Sequence, residues 1–285
     1  MQGRRSIVVM GLMFALALPA AGQETMYGST GGGTPQGTLG TVDQTNGNFT
    51  LIGDPTSGSR DNLVGISFDS TGRLFGVVVF FDSSGSTLIE INPNNGLLIT
   101  TIGDIEDSSM NRLRIVDLAT QPGSDALFGI DSNGKLWRIN KDTAVATLVG
   151  DTGIARGGIA FAPDGTLYLA SVSNELVRLD PATGLPIGTP LDLTDCIDGL
   201  AVRPSDGALF GTACDSNDIY RIDAATGALT LLGSPDNDTT DLAFKLAPLG
   251  VRAPTLSPAA LLMLAACLAA IGVARLAKRR HAPLR

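Results

Sequence analysis

Residues 127–140 read LFGIDSNGKLWRIN, and this stretch contains the pattern that decides the fold. Its second half, KLWRIN, alternates apolar and polar side chains, as a strand with one buried face requires. Similar strings occur at four other places, so the chain contains an internal repeat. The five copies are TLGTVD from Thr38, TLIEIN from Thr87, KLWRIN from Lys135, ELVRLD from Glu175 and DIYRID from Asp218.

Three more strands accompany each copy. An LFG-like strand precedes it, a strand ending in glycine follows it, and an apolar triplet opens the unit. The triplets are ISF from Ile66, VDL from Val116, IAF from Ile159, LAV from Leu200 and LAF from Leu242. Glycine and asparagine between the strands accept the positive φ of tight hairpins. Four strands in about 42 residues match a β-propeller blade.

The repeat count predicts five blades. The chain opens with the second to fourth strands of a blade, from Met26 to Gly53, and closes with a first strand alone, Leu242 to Phe244. Strands from both ends then complete one blade and leave no open sheet edge in the ring. The alternative is an open propeller, or a six-bladed one with a degenerate blade in residues 80–111. The strings resemble bacterial NHL- and YncE-like propeller repeats, a resemblance that implies the same all-β fold.

The N-terminus has the pattern of a secretory signal peptide. Arg4 and Arg5 precede an apolar stretch from Ile7 to Leu18, and the small residues Ala20 and Gly22 stand where a signal peptidase cuts. We therefore expect export, with cleavage after Gly22.

A second apolar stretch, Leu256 to Ala274, is long enough for a transmembrane helix. The basic residues behind it would stay in the cytoplasm; they are Arg275, Lys278, Arg279 and Arg280. The expected organisation is a signal peptide (1–22), a propeller ectodomain (23–250) and a C-terminal sorting or transmembrane segment (251–285).

The string Ala253-Pro254-Thr255-Leu256, followed by an apolar helix and a basic cluster, resembles the IPTL-CTERM sorting signal of the PEP-CTERM-like group. Alanine replaces the first isoleucine, and the usual Trp-Gly is absent. The resemblance implies a Gram-negative bacterium, an exosortase-type processing protease as a partner, and display at the cell surface. Without that processing, the protein would stay anchored in the inner membrane facing the periplasm.

Composition excludes several functions. Residues 23–255 contain 28 acidic and 13 basic residues, a net charge of −15, which disfavours nucleic acid as a partner. The only histidine, His281, follows the apolar segment, so the ectodomain can hold no histidine-based triad or histidine-ligated zinc. No catalytic residue and no cofactor can be nominated. Among the inner triplets only VDL carries a carboxylate, Asp117, which favours binding over catalysis.

Aspartates are concentrated between the repeats, and these loops share one face of a propeller. Carboxylates there attract cations, so a Ca²⁺ site is possible on composition; its weak candidates are Asp236, Asp238 and Asp241. The alternative reading is that these aspartates form turns. Cys196 and Cys214 flank neighbouring strands of one blade, and we expect a disulfide between them after export.

Two functions stay open at this point. The first is a non-catalytic surface propeller that binds an unknown surface or matrix ligand. The second is a Ca²⁺-dependent propeller hydrolase or lyase that uses loop carboxylates. The fold alone does not decide between them.

Overall fold

The computed structural model describes residues 24–32, 35–58, 61–80, 82, 84–154 and 157–245. These residues form 21 β-strands in five sheets and contain no helix. The predicted signal peptide, sorting motif, apolar segment and basic tail lie outside the described residues. Across the described ranges, no helix has the length and apolar character to span a membrane.

Each sheet is one blade. Blade I contains β4 (Asn62–Phe68), β5 (Leu74–Val79), β6 (Ser86–Ile91) and β7 (Leu98–Asp104). Blade II contains β8 (Glu106–Asp107), β9 (Ile115–Thr120), β10 (Leu127–Asp131), β11 (Lys135–Ile139) and β12 (Val145–Asp151). Blade III contains β13 (Gly157–Phe161), β14 (Leu167–Ser171), β15 (Glu175–Leu179) and β16 (Pro186–Asp192). Blade IV contains β17 (Ile197–Val202), β18 (Leu209–Ala213), β19 (Ile219–Ile222) and β20 (Leu229–Gly233). Blade V contains β21 (Thr239–Phe244), β1 (Met26–Thr30), β2 (Leu39–Val42) and β3 (Phe49–Gly53).

Blade V closes the ring. Its inner strand β21 pairs antiparallel with β1, and Met26 lies opposite Phe244. The five-bladed prediction and the closure of the ring by strands from both ends of the propeller domain are therefore confirmed. The open and six-bladed alternatives are wrong, because β21 and β1 close the ring and the described residues between 80 and 111 form no extra blade. They contribute β6, β7 and β8, and β8 pairs in parallel with the outer strand of blade II.

The inner triplet predicted for blade II was placed two residues too early. The structural equivalent of Ile66 is Leu118 rather than Val116, because Leu118 lines the axial channel at the same level as Ile66. The five triplets that line the lower end of the channel are Ile66–Phe68, Leu118–Thr120, Ile159–Phe161, Leu200–Val202 and Leu242–Phe244. Here the lower end means the end at which the inner strands finish. The corrected register matters because it moves Asp117 one position before the triplet.

The residue that ends each third strand is an acidic or amide residue because it begins a hairpin turn. In blade V, the Asp43 carbonyl accepts the N–H of Gly47, and the Asp43 carboxylate accepts the N–H of Thr45. Glycine holds the positive φ of this turn in four blades. In blade II, Ala144 takes that place with φ of 60°, which is unusual for a residue with a Cβ atom.

The hydrophobic core consists of five clusters, one at each junction between neighbouring blades. At the junction of blades II and III, for example, Phe128 packs edge-on against Phe161 with 5.3 Å between ring centroids. Each blade thus buries both faces against its neighbours, which accounts for the near-complete burial of the second strands.

Candidate functional site at the propeller axis

The five inner strands bring one equivalent residue each to the propeller axis. We call this set the axial ring; it consists of Gly65, Asp117, Gly158, Gly199 and Asp241. The glycines allow the strands to approach closely. A Cβ atom on Gly199 would lie 2.4 Å from the backbone oxygen of Thr240, and one on Gly65 would lie 2.8 Å from the Cα atom of Asp117.

Asp117 and Asp241 each bridge to the next blade. One Asp117 carboxyl oxygen accepts the N–H of Ile159 in blade III at 2.6 Å, and the other accepts the N–H of Leu118. An Asp241 oxygen accepts the N–H of Ile66 in blade I at 2.7 Å. Both side chains therefore satisfy buried backbone donors at the junctions between blades.

The two carboxyl groups also contact one another. Burial raises the pKa of Asp117 well above its usual range, and the nearby Asp241 raises it further. Burial likewise raises the pKa of Asp241, to about 8, although hydrogen bonds from Asp117 and Ile66 oppose that rise. Two touching buried carboxylates cannot both ionise at low energy. The pair therefore holds a proton more tightly than an isolated carboxyl group does, and Asp117 is placed to donate it to Asp241.

A proton shared between the two carboxyl groups satisfies a buried hydrogen-bond acceptor of Asp241. The Oδ1 atom of Asp241 is buried, and no fixed donor among the described residues reaches it. A protonated Asp117 supplies the missing donor. The sequence prediction of one axial carboxylate is thus wrong, because Asp241 joins Asp117 there.

Above the axial ring the channel ends in a small cavity of about 40 Å³. We call its lining the axial mouth; it consists of Arg114, Val64, Val116, Gly157, Asp198 and Thr240. These residues lie at the start of the inner strands, on the side of the loops that enter each blade. We call that side the upper face.

Many upper-face aspartates act in turns. The Asp54 carboxylate accepts N–H groups of Thr56 and Gly58, and Asp107 accepts those of Ser109 and Asn111. The prediction that aspartate serves as a turn former describes these residues well. Their negative charge remains, so the upper face is acidic.

The predicted calcium candidates do not converge. Asp236 is exposed and Asp238 is half-buried in the loop before β21, whereas Asp241 is buried at the axis and bonds to blade I. Throughout the described part of the chain, no three His, Cys, Asp or Glu side chains are grouped to hold a metal. The reason is the alternation of β21, which turns Asp241 toward the next blade.

Two cysteines of the propeller are joined at the upper face of blade IV. Cys196 and Cys214 form a disulfide with Cα atoms 5.4 Å apart, and the Cys214 N–H donates to the Cys196 carbonyl. Beside it, the Tyr220 hydroxyl lies 2.9 Å from Asp195 and 3.2 Å from Asp218. Burial, together with these two carboxylates, raises the pKa of Tyr220 above its usual range.

Comparison with protein families gives one match. Residues 118–244 match the model of a repeat of unknown function (DUF6923). In this chain the matched region forms blades of the propeller. It spans β9 to β21 and covers just under half of the sequence. No curated protein sequence matches the chain.

Solved structures share the fold at low sequence identity. A chain of a nidogen–laminin complex is 13% identical with a TM-score of 0.52, and the match covers 78% of this chain and 98% of that one. A protein of unknown function from Bacteroides caccae is 9% identical with a TM-score of 0.50, over 78% and 99% of the two chains. A protein of unknown function from Bacteroides thetaiotaomicron VPI-5482 is 13% identical with a TM-score of 0.50, over 79% and 66%. These likenesses show the propeller fold alone.

A signal for the axial pair was present in the sequence. The string Asp-Leu-Ala occurs in β9 from Asp117 and again in β21 from Asp241. Aligning the two inner strands on that string would have placed both carboxyls at one position of the blade. Arg114, by contrast, follows an irregular loop and has no counterpart in the other repeats, and its Nε atom has no hydrogen-bond acceptor among the described residues.

Proposed function

We propose that the protein is an exported, surface-anchored β-propeller that binds a surface or matrix component and catalyses no reaction. One observation carries the proposal: the axial carboxyls, which an enzyme of this shape would need free, bond to the backbone of neighbouring blades instead. The axis is narrow and its two carboxyl groups are bonded to the backbone, which leaves the faces of the ring as the surfaces for recognition.

Export and anchoring complete the proposal. The signal peptide places the ectodomain in an oxidising compartment, where a Cys196–Cys214 disulfide is stable. The apolar segment 256–274 and its basic tail would hold the ectodomain at the inner membrane. Recognition of Pro254-Thr255-Leu256 by an exosortase-type protease would then release it to the cell surface.

Intact mass of the native protein tests this arrangement. Mass is measured separately for the membrane and released fractions of the producing cells. A released form that starts at Gln23, ends near Thr255 and lacks two hydrogens through the disulfide supports processing. A membrane-bound form that extends to Arg285 refutes the sorting step and leaves a plain anchor.

The alternative function is a Ca²⁺-dependent hydrolase or lyase, and the observation that favours it is the axial pair of Asp117 and Asp241 with its raised pKa values. Turnover of a carbohydrate or lactone substrate that is abolished in Asp117→Asn would establish catalysis and overturn our proposal. A Ca²⁺-dependent rise in melting temperature would support the metal requirement, because a ligand that binds only the folded state stabilises it.

A further inference from the structure

A cavity of about 170 Å³ lies between blades III and IV, away from the axis. We call it the flank cavity. Its polar lining consists of Tyr168 and Arg178 on the inner part of blade III and Thr189 on the outer strand β16. Arg178 and Thr189 are exposed and Tyr168 is half-buried, so solvent reaches all three side chains. Within the described chain, none of these side chains forms a hydrogen bond or an ion pair.

Apolar groups form the remaining walls of the flank cavity. They belong to Leu176, Leu191, Ala224 and Ala225. The two alanines lie in the hairpin turn of blade IV, and this turn packs closely on blade III. A Cβ atom added to Gly227 in the turn would lie 2.4 Å from the backbone oxygen of Asp192. The walls are therefore fixed by the contact between blades.

Blade III departs from the repeat at this cavity. From the hairpin glycine to the end of the outer strand it has residues 185–192, two residues more than the corresponding residues 228–233 of blade IV. The pairing of β15 with β16 skips residues 188–190, whereas that of β19 with β20 skips a single residue, Leu232. Bulges of this kind re-aim side chains and are common beside functional sites. Here the enlarged bulge carries Thr189 into the lining of the cavity.

Gly188 in this bulge makes room for Arg178. Its φ is 76°, and a Cβ atom there would lie 2.9 Å from the Arg178 Nη2 atom. A side chain at this position would displace the guanidinium group. The added residues of blade III therefore place two of the three polar groups at the cavity.

The volume of the flank cavity limits the size of a ligand. A cavity of about 150 Å³ holds one benzene-sized ring, so the flank cavity accommodates one six-membered ring and no larger metabolite.

The polar side chains limit the chemistry of that ring. Guanidinium only donates hydrogen bonds, whereas the hydroxyl groups of Tyr168 and Thr189 both donate and accept. A ring with several hydroxyl groups can bond to all of them and place its C–H groups against the leucines and alanines. A wholly apolar ring would instead deprive the three side chains of water without replacing the hydrogen bonds.

The charges around the cavity favour a neutral ligand. Arg178 is the one charged residue in the described lining and disfavours cations. Burial and Asp164 raise the pKa of Tyr168, and Arg178 opposes that rise. A carboxylate and a guanidinium thus act on the same hydroxyl group, and their opposite charges offset one another there. An anion gains little at such a place on a propeller with a net charge of −15.

We propose that the flank cavity is a binding subsite for one neutral pyranose ring of a saccharide. The inference rests on the proposed binding function and names its ligand class. Arg178 and Thr189 bond to hydroxyl groups of the ring, and Tyr168 contributes both its hydroxyl group and a ring surface. A single sugar ring buries few atoms, so its affinity is millimolar. A matrix polysaccharide gains affinity through several copies of the protein.

Saturation-transfer NMR tests the proposal on the purified full-length protein, in a detergent without a sugar headgroup. The probes are methyl glycosides of glucose, galactose and mannose, and separately acetate and toluene. We expect at least one glycoside to bind saturably in the millimolar range. Binding of acetate alone would show an anion site, and binding of toluene alone would show an apolar pocket. Either result, or no saturable binding at all, overturns the proposal.

Variants assign the binding to the flank cavity. Arg178→Gln should weaken glycoside binding by about 10-fold, because it removes a hydrogen bond from a charged group. Thr189→Val keeps the shape of the side chain, removes its hydroxyl group and should weaken binding by about 5-fold. Arg138→Gln changes the equivalent exposed arginine of blade II and is the matched control, with affinity unchanged within about 2-fold. Melting curves verify folding, and unaltered affinity in both cavity variants overturns the proposal.

A second assay distinguishes failure of the subsite from failure of the proposed function. Binding to surface polysaccharide from the producing cells is compared for the unchanged protein and Arg178→Gln. Weaker binding by the variant supports both inferences. Equal binding by both proteins would overturn the subsite and leave the binding function standing. Absence of binding by the unchanged protein, together with turnover of a substrate, would overturn the binding function itself.

Discussion

Asp241→Asn should reduce the pH dependence of stability between pH 5 and 8. In the unchanged protein the folded-state pKa values of Asp117 and Asp241 are raised, so the folded state holds protons that the unfolded chain has already released. The stability gained from those protons is complete below the unfolded pKa of 3.8. It is lost as the pH rises through the folded pKa, about 8 for Asp241.

The size of the effect follows from proton linkage. For each proton that the folded state holds beyond the unfolded chain, the free energy of unfolding falls by about 1.4 kcal/mol per pH unit. For a chain of this size that corresponds to roughly 3–6 °C of melting temperature per pH unit. The ectodomain contains no histidine, so no other side chain with an ordinary pKa competes in this window.

The asparagine variant should behave differently for a structural reason. Its amide oxygen can still accept the Ile66 N–H, and its amide N–H₂ can donate to Asp117 in place of the shared proton. Asp117 then ionises without a touching charge. We expect a shallower fall of the melting temperature from pH 5 to 8, because Asp117 stays buried and keeps the part of its pKa rise that burial causes, and a higher value than the unchanged protein at pH 8.

Thermal unfolding followed by circular dichroism at constant ionic strength provides the measurement. Asp236→Asn, which removes an exposed loop carboxylate, is the control and should keep the slope of the unchanged protein. A flat profile in the unchanged protein, or an unaltered slope in Asp241→Asn, would refute the shared-proton account of the axis.

Three further changes test the framework that holds the axis. Cys196→Ser should lower stability by about 2–4 kcal/mol in chemical unfolding, because the disulfide closes a loop of 18 residues. Gly199→Ala should destabilise by about 3 kcal/mol, since its Cβ atom would meet the Thr240 backbone oxygen at 2.4 Å. Lys141→Met should destabilise by about 3 kcal/mol, because it leaves the 2%-exposed Asp69 carboxylate without the ammonium group 3.3 Å away.

Each of these changes has a matched control. Reduction of the unchanged protein should reproduce the effect of Cys196→Ser, and a smaller effect would assign the loss to the serine itself. Gly103→Ala should be close to neutral, because the nearest atom to its Cβ lies at an ordinary 3.6 Å. Lys135→Met removes a half-buried lysine for which no ion pair is formed within the described chain, and an equal loss there would contradict the role given to Lys141.

The repeat strings predicted the blades, the hairpin turns and the closure by both ends because each depends on local pattern. The register of β9 could not be predicted in the same way. A shift of two residues keeps every side chain on the same face of the strand, so alternation does not distinguish VDL at Val116 from the correct triplet at Leu118. Because the loop before β9 is irregular, the distance between successive repeats did not fix the position of this triplet either.

The site was less predictable than the fold. Asp117 and Asp241 are far apart in sequence, and their contact exists only because five inner strands converge on one axis. The short strand β8 left no signal, since two residues are too few for a periodic pattern. Arg114 belongs to the same loop, and only the three-dimensional structure shows that its Nε atom lacks an acceptor.

The pairing of β1 with β21 also sets the order of events during biogenesis. Blades I to IV can each form from contiguous chain as it emerges, whereas blade V waits for residues at the far end of the ectodomain. Until Phe244 is available, β1 and the flanks of blades I and IV remain unprotected, and such edges recruit other chains. A nascent chain stalled before β21 would therefore depend on chaperones. The ring can close only after this last strand has been synthesised.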